Sequence, residues 1–137
     1  MILPGAPRAK GRPRFTRAGR TYTDARTREA EQSILAAWLV QVGARAPHDG
    51  PVEVELVATF SPPASWPKWK RALALEGRWP HTAKPDLDNL LKVLDGLNGR
   101  AWLDDSQIVS FAGSRKGYGP EPSTRVRIVL LPAPGRP

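Results

Sequence analysis

The sequence contains no cysteine, which excludes disulfides, thiolate catalysis and cysteine-type zinc sites. Histidine is nearly as scarce. His48 and His81 are the two present, isolated from each other, and each reads as a loop or surface residue rather than a metal ligand. No apolar run approaches the roughly 20 residues of a membrane span. The longest, ILAAWLV and IVLLPA, are far shorter. The segment MILPGAPRAKG has no long apolar region behind its basic residues, so it does not read as a secretory signal. A cytoplasmic location with no membrane partner is therefore the default expectation. Acids are also in short supply: 13 Asp and Glu face 21 Lys and Arg, for a formal net charge of +8. A pI near 10.6 points to a polyanionic partner, most often nucleic acid.

The scarce acids are not spread evenly. KPDLDNLLKVLDGLNGRAWLDD holds five aspartates, Asp86, Asp88, Asp95, Asp104 and Asp105, against Lys84, Lys92 and Arg100. A strongly basic chain thus gathers acids in one place.

The surrounding chain of 137 residues suits one domain, residues 1–137, and its 40% hydrophobic content can fill a core. No internal repeat or long linker divides it. ARTREAEQSILAAWLVQVG predicts a helix, with Ile34, Leu35, Trp38 and Val42 at helical spacing, Asp24 or Thr27 as its cap and Gly43 after its end. VEVELVATF alternates Val52, Val54, Leu56, Ala58 and Phe60 with polar or small partners, so it predicts a strand with one buried face. SPPASWPKWKRALALEG predicts a short basic helix after a proline-rich entry, and DLDNLLKVLDGLN another. In the latter, Leu87, Leu90, Leu91, Leu94 and Leu97 fall within about 120° of arc, and Asn98-Gly99 stops the helix. SQIVSFAGSRKG and STRVRIVLLP predict two further strands, followed by a frayed tail at 132–137. The expected fold class is α+β: a small mixed β-sheet packed against helices in a two-layer sandwich.

The acidic stretch has a purely structural reading. Asp86 stands where a helix N-cap belongs, and Asp88 lies in the first turn, where negative charge is favoured. Asp88 and Lys92 form an i, i+4 surface pair, and Asp104-Asp105 suits a turn before a strand. The functional reading starts from geometry. If Asp86 is held extended before the first turn, its carboxylate can converge with that of Asp88. The return of the chain through Gly99 could bring Asp104 or Asp105 to meet them. Carboxylates so gathered raise one another's pKa. A divalent cation such as Mg²⁺ removes that cost, because it prefers carboxylate oxygens, water and phosphate. Lys92, one turn after Asp88, could then neutralise charge building on a phosphate.

HTAKPDLDNLLKVLDGLNGRAWLDDSQIV resembles the signature of the RusA family of Holliday junction resolvases. The KPDxDN element, the Lys four residues after its second Asp, the D-x-L-N-G helix end and the DD pair before a strand occur together and in order. GRPRFTRAGRTYTDARTREAE is similar to the family's basic N-terminal segment and first helix, and SWPKWKRALALEGRWPHT to the segment leading into the acidic motif. The resemblance runs from about Gly5 to Gly119; the C-terminal strand matches in character only.

The resemblance implies a RusA-like sandwich that cuts four-way DNA junctions as a homodimer, with Mg²⁺ as cofactor and Mn²⁺ able to substitute. It places the catalytic and metal-holding acids on Asp86, Asp88 and Asp105, with Asp104 the alternative within the DD pair, and the catalytic lysine on Lys92. It is also compatible with a phage or prophage origin. Other branched DNA is a second possible substrate, and a non-catalytic basic DNA-binding module is a third reading. Arg8, Lys10, Arg12, Arg14, Arg17 and Arg20 are then the expected DNA-contacting arm, at about 5–22. Lys68, Lys70 and Arg71 extend it beside Trp66 and Trp69, which suit core packing or a helix cap better than stacking on unpaired bases. Trp38 and Trp102 read as core, and Arg115 and Lys116 as candidate DNA contacts. A C₂ homodimer would present two sites to strands related by a two-fold axis.

Overall fold

The computed structural model describes residues 1–10, 14–15, 21–22 and 25–135, with side chains described for 1–10 and 25–135. In chain order the strands are β1 (Ile2–Pro4), β2 (Arg14–Phe15), β3 (Thr21–Tyr22), β4 (Val52–Phe60), β5 (Ile108–Ser110), β6 (Arg115–Tyr118) and β7 (Ser123–Leu130). The α-helices are α1 (Ala25–Gln41), α2 (Lys68–Leu75) and α3 (Leu87–Leu91); 3₁₀ turns follow at Lys92–Leu97 and Asp105–Gln107.

β4 is the centre of a mixed five-stranded sheet. Its length lets it pair antiparallel with β7 along one edge, from Val52↔Leu130 to Thr59↔Ser123. Its other edge takes two short parallel strands, β5 at Val52 and β6 at Val57–Phe60. β1 closes the far side by pairing antiparallel with β7. The predicted period of two holds: Val52, Val54, Leu56 and Ala58 are all buried. They face Ile34 and Trp38 of α1 and Leu90, Leu94, Leu97 and Trp102 of the acidic stretch, which form one core cluster with them. The result is the α+β arrangement of helices on a small mixed sheet. Among the described residues no helix is long and apolar enough to cross a membrane.

Several expectations need correction. SQIVSFAGSRKG is not one strand: a turn closed by the Ser114 amide on the Phe111 carbonyl (3.0 Å) splits it into β5 and β6. The segment Arg8–Arg20, expected as a basic arm, contains β2, paired with β3 through Arg14↔Tyr22 and Phe15↔Thr21. β1 had no sequence signal of its own. Thr27 lies inside α1 and is buried, so it is not the cap, while Asp24 and Arg136–Pro137 lie outside the described residues. His81 is buried at 8% exposure, because its ring stacks on Phe60 at 4.2 Å and lies 4.8 Å from Tyr118. His48 does sit in a loop, where its Nε2 bonds the Leu131 carbonyl at 2.6 Å and pins the chain leaving β7.

The leucine helix is shorter than its periodicity predicts: five α-helical residues, then a 3₁₀ winding. Five residues cannot form a stable helix alone. Burial holds it, since Leu90, Leu94 and Leu97 are at most 2% exposed, each burial contributing about 1.5–3 kcal/mol. Gly96 permits the close crossing with α1. A Cβ there would stand 2.5 Å from the Glu31 carbonyl oxygen and 2.9 Å from Ile34 Cγ2. Gly96→Ala, normally favourable in a helix, is therefore expected to destabilise the fold by about 1–3 kcal/mol. A lower urea midpoint at unchanged m-value would show it; an unchanged midpoint would contradict the crossing.

Candidate active site

The acidic stretch runs along the edge of the helical layer, and its aspartates take different local roles. Asp86 occupies the N-cap position of α3 with extended backbone (φ −67°, ψ 146°), yet its side chain makes no capping bond. Among the described residues its exposed carboxylate has no hydrogen-bond or ion-pair partner. Asp88, in the first turn, is also exposed and accepts Lys92 Nζ at 3.1 Å. The expected i, i+4 pair is thus present.

Asp104 and Asp105 diverge sharply. Asp104 caps the turn that follows it. Its Oδ2 accepts from the Ser106 amide at 3.0 Å, and its own amide donates to Gln107 Oε1 at 2.8 Å, a reciprocal capping box. The Ser106 bonds lower its pKa. Asp105 turns inward, where its Oδ1 accepts the Trp102 indole N–H at 2.8 Å. Burial raises its pKa; the Trp102 bond opposes this, and the nearby carboxylates of Asp95 and Asp104 add to it. The Asp95 carboxylate lies near Asp105 and adds to that rise.

The turn between the helix and the DD pair explains this placement. Gly99 adopts φ +74°, a left-handed conformation that glycine takes without steric cost, and its amide bonds the Trp102 carbonyl at 2.8 Å. Trp102, wholly buried, then anchors the loop from which Asp105 projects. Gln107 secures the other side, its amide nitrogen donating to the carbonyls of His48 and Gly50, both at 2.8 Å.

Two lysines support the site from outside the acidic stretch. Lys10, expected on the DNA-contacting arm, faces inward: its Nζ lies 2.7 Å from Asp95 and 3.1 Å from Glu31, and its amide bonds the Asn89 carbonyl. A chain of charges therefore runs Glu31–Lys10–Asp95–Asp105. Lys116, on β6, donates to the carbonyls of Ala83 (2.7 Å) and Pro85 (2.9 Å), tying down the loop that delivers Asp86. Its sequence neighbourhood gives no hint of this, because the partners are backbone groups of a distant loop.

The Asp95 bond raises the pKa of Lys10 above its ordinary 10.5, with burial opposing and Glu31 adding to it. A raised lysine pKa means stability that is fully present below 10.5 and lost as pH rises through the folded value. Lys10→Met is expected to lower stability by about 1 kcal/mol at pH 7, the upper end for a partly exposed pair. Urea unfolding of both proteins should show that difference shrinking once the pH exceeds 10.5.

Arg8 is exposed, with Glu29 at 3.8 Å, and the side chains of Arg12, Arg14, Arg17 and Arg20 lie outside those described. Lys68 and Arg71 are exposed on α2, whereas Lys70 Nζ sits over the rings of Trp66 (3.9 Å) and Trp79 (4.8 Å). Arg115 bonds the Gly113 carbonyl at 2.9 Å. Among the described residues no three His, Asp or Glu side chains stand together in a metal-holding group. Asp105 is brought to Asp95, and Asp86 and Asp88 flank the start of α3.

Two comparisons with known proteins match most of the chain. A family model described as "Endodeoxyribonuclease RusA" matches residues 4–129. The chain is also 34% identical over 129 residues, 90% of each chain, to a Bacillus subtilis (strain 168) protein described as "Uncharacterized protein YqaN".

Proposed function

The chain belongs to the RusA endodeoxyribonuclease family, and from that membership we propose a structure-selective nuclease that resolves four-way DNA junctions by paired, symmetric nicks. We assign Asp86, Asp88 and Asp105 to holding a divalent cation, Mg²⁺ or Mn²⁺. The observation that carries this reading is Asp86, which stands at a helix N-cap without capping and whose carboxylate is uncommitted among the described residues.

The residue types fit such an ion. All the donors are carboxylate oxygens, which suit a hard cation, and the Asp95–Asp105 contact is a repulsion that a positive charge relieves. When bound, the ion would polarise the scissile phosphate and lower the pKa of a water. The protein's own groups do the rest. Asp86 and Asp88 present exposed carboxylates where a DNA backbone can reach them. Lys92, at 3.1 Å from Asp88, supplies the cation that offsets negative charge building on the phosphate. Arg8, Lys68, Lys70 and Arg71, with the arm residues up to Arg20, hold the duplex arms through phosphate contacts, which position DNA without reading its sequence. A C₂ homodimer presents two such sites to symmetry-related strands.

The test uses end-labelled four-way junction, replication fork and linear duplex, with Mg²⁺ or EDTA. Symmetric nicks on the junction, absent in EDTA and lost in Asp86→Asn with junction binding retained, are the expected result. Equal cutting of forks would widen the substrate to branched DNA in general. Binding without cutting, in Mg²⁺ and in Mn²⁺, would sink the enzyme reading.

A further inference from the structure

Trp66 and Trp69 look interchangeable in sequence, but the structure separates them. Trp66 is partly buried, edge-on to Tyr118 at 5.3 Å and to Trp79 at 6.2 Å. It is a packing residue between α2 and β6. Trp69 is 60% exposed, and its contact with Trp79 is edge-to-face at 6.1 Å and 70°, which leaves ring surface open to solvent. The Trp69 indole therefore offers an aromatic face to a ligand.

We propose that Trp69 and Trp79, braced by Trp66 and Lys70, form a platform on which a nucleobase unpaired from the DNA stacks beside the acidic loop. The inference rests on the DNA-cleaving reading above and adds the contact that would favour a branch point over regular duplex. Four features point to a base on a phosphate backbone rather than to an apolar partner.

The first is charge. Lys68, Lys70, Arg71 and Arg78 share the stretch that carries the rings, with Lys70 directly over two of them, and between Ser61 and Lys84 the single acid is Glu76, 3.6 Å from Arg78. The second is rigidity. Lys70 Nζ lies over both Trp66 and Trp79, so these rings are held before any ligand arrives.

The third is position. Tyr118, which supports Trp66, is two residues along β6 from Lys116, and Lys116 bonds the carbonyls of Ala83 and Pro85 just before Asp86. One strand thus braces both platform and acidic loop. The fourth is chemistry: stacking accepts any base and needs it unpaired, which a branch point supplies and intact duplex does not.

The experiment uses the full-length protein with Trp69→Ala and Trp69→Phe. Fluorescence anisotropy in EDTA measures binding to a labelled single-stranded oligothymidylate, to a four-way junction and to linear duplex. Thermal unfolding checks that both variants fold. Trp69→Ala is expected to weaken single-strand and junction binding about tenfold, the order of one base–aromatic stack. Duplex binding should stay unchanged, and Trp69→Phe should recover most of the loss. Equal weakening on all three DNAs would overturn the platform, because it would mean a general electrostatic or folding effect. Unchanged binding on all three would also overturn it. Because these readouts need no cleavage, they stand apart from the nuclease test. A protein that never cuts could still show the Trp69 effect, and one that cuts normally could lack it.

Discussion

Asp105→Asn is expected to lower junction cleavage by at least about 10³-fold, to leave junction binding intact, and to stabilise the metal-free protein. The first effect follows from removing a charge that the proposed function assigns to the metal. Metal-assisted catalysis is worth several kcal/mol in the transition state, and each 1.4 kcal/mol is about tenfold in rate. Binding survives because the substitution removes negative charge near phosphate. The stabilising effect follows from the environment of Asp105. Burial raises its pKa, the Trp102 bond opposes this, and Asp95 and Asp104 add to it. A carboxyl whose folded pKa lies above its ordinary 3.8 costs stability while ionised, and that cost disappears as pH falls through the folded value. Asn keeps an oxygen to accept from Trp102 and carries no charge. The variant should therefore melt higher than the parent at pH 7 in EDTA, with the gap closing near pH 3.8. Added Mg²⁺ should reverse the order, since it stabilises only the protein that binds it.

Asp104 provides the control. Its pKa is lowered by the Ser106 bonds, so its contribution to stability is present above 3.8 and lost as pH falls. Asp104→Ala should loosen the Asp105–Gln107 turn and leave cleavage near that of the parent. Cleavage lost in Asp104→Ala but kept in Asp105→Asn would invert the roles of the pair.

What was legible in the sequence was local and periodic. β4 could be read because its buried residues alternate, and the leucine stripe because a helix must bury one face. The buried alternation holds from Val52 to Ala58 and the leucine stripe at Leu90, Leu94 and Leu97, while Phe60, Leu87 and Leu91 are partly buried. The α-to-3₁₀ change after Leu91 was not legible, because it depends on how closely α1 crosses at Gly96. β1 is three residues including a proline, and only its partner β7 makes it a strand. A charge run looks the same whether it is solvated or paired, so Lys10 read as part of the arm until the fold put Asp95 and Glu31 beside it.

The site divides in the same way. The aspartates and Lys92 were singled out from spacing and family signature, with Asp105 preferred to Asp104; only the fold shows that Asp104 caps its own turn while Asp105 accepts from Trp102. One usable signal was overlooked. A tryptophan in apolar context, three residues before an acid, must bury an indole N–H, and buried N–H groups seek acceptors. Trp102 and Asp105 are that pair. Lys116 and His81 had no comparable signal, since the partners of the first are distant carbonyls and the burial of the second depends on Phe60 and Tyr118.

Trp102→Ala is expected to cost about 3–5 kcal/mol of stability, the range for deleting a large buried aromatic. Trp102 is fully buried, packs in the core with β4 and α1, and through its backbone pairs with His48 and Asn98. Such a loss is a large share of the 5–15 kcal/mol that holds a typical domain together, so low activity in this variant would not isolate the role of the indole. Trp102→Phe does. It keeps an aromatic ring in the core and removes one donor, the N–H that Asp105 accepts at 2.8 Å. That bond is the influence lowering the Asp105 pKa, so without it the pKa should climb further. The acid limb of the cleavage–pH profile should then move to higher pH. Cleavage at neutral pH should fall about 10–100-fold, as when other outer-shell partners of metal-holding groups are removed. Weaker metal affinity, read by the Mg²⁺-dependent shift in melting temperature, should accompany it. A Trp102→Phe protein with the parent's pH profile and metal response would show that the indole only fills space. A shifted profile at nearly unchanged stability would make Trp102 the residue that aims Asp105.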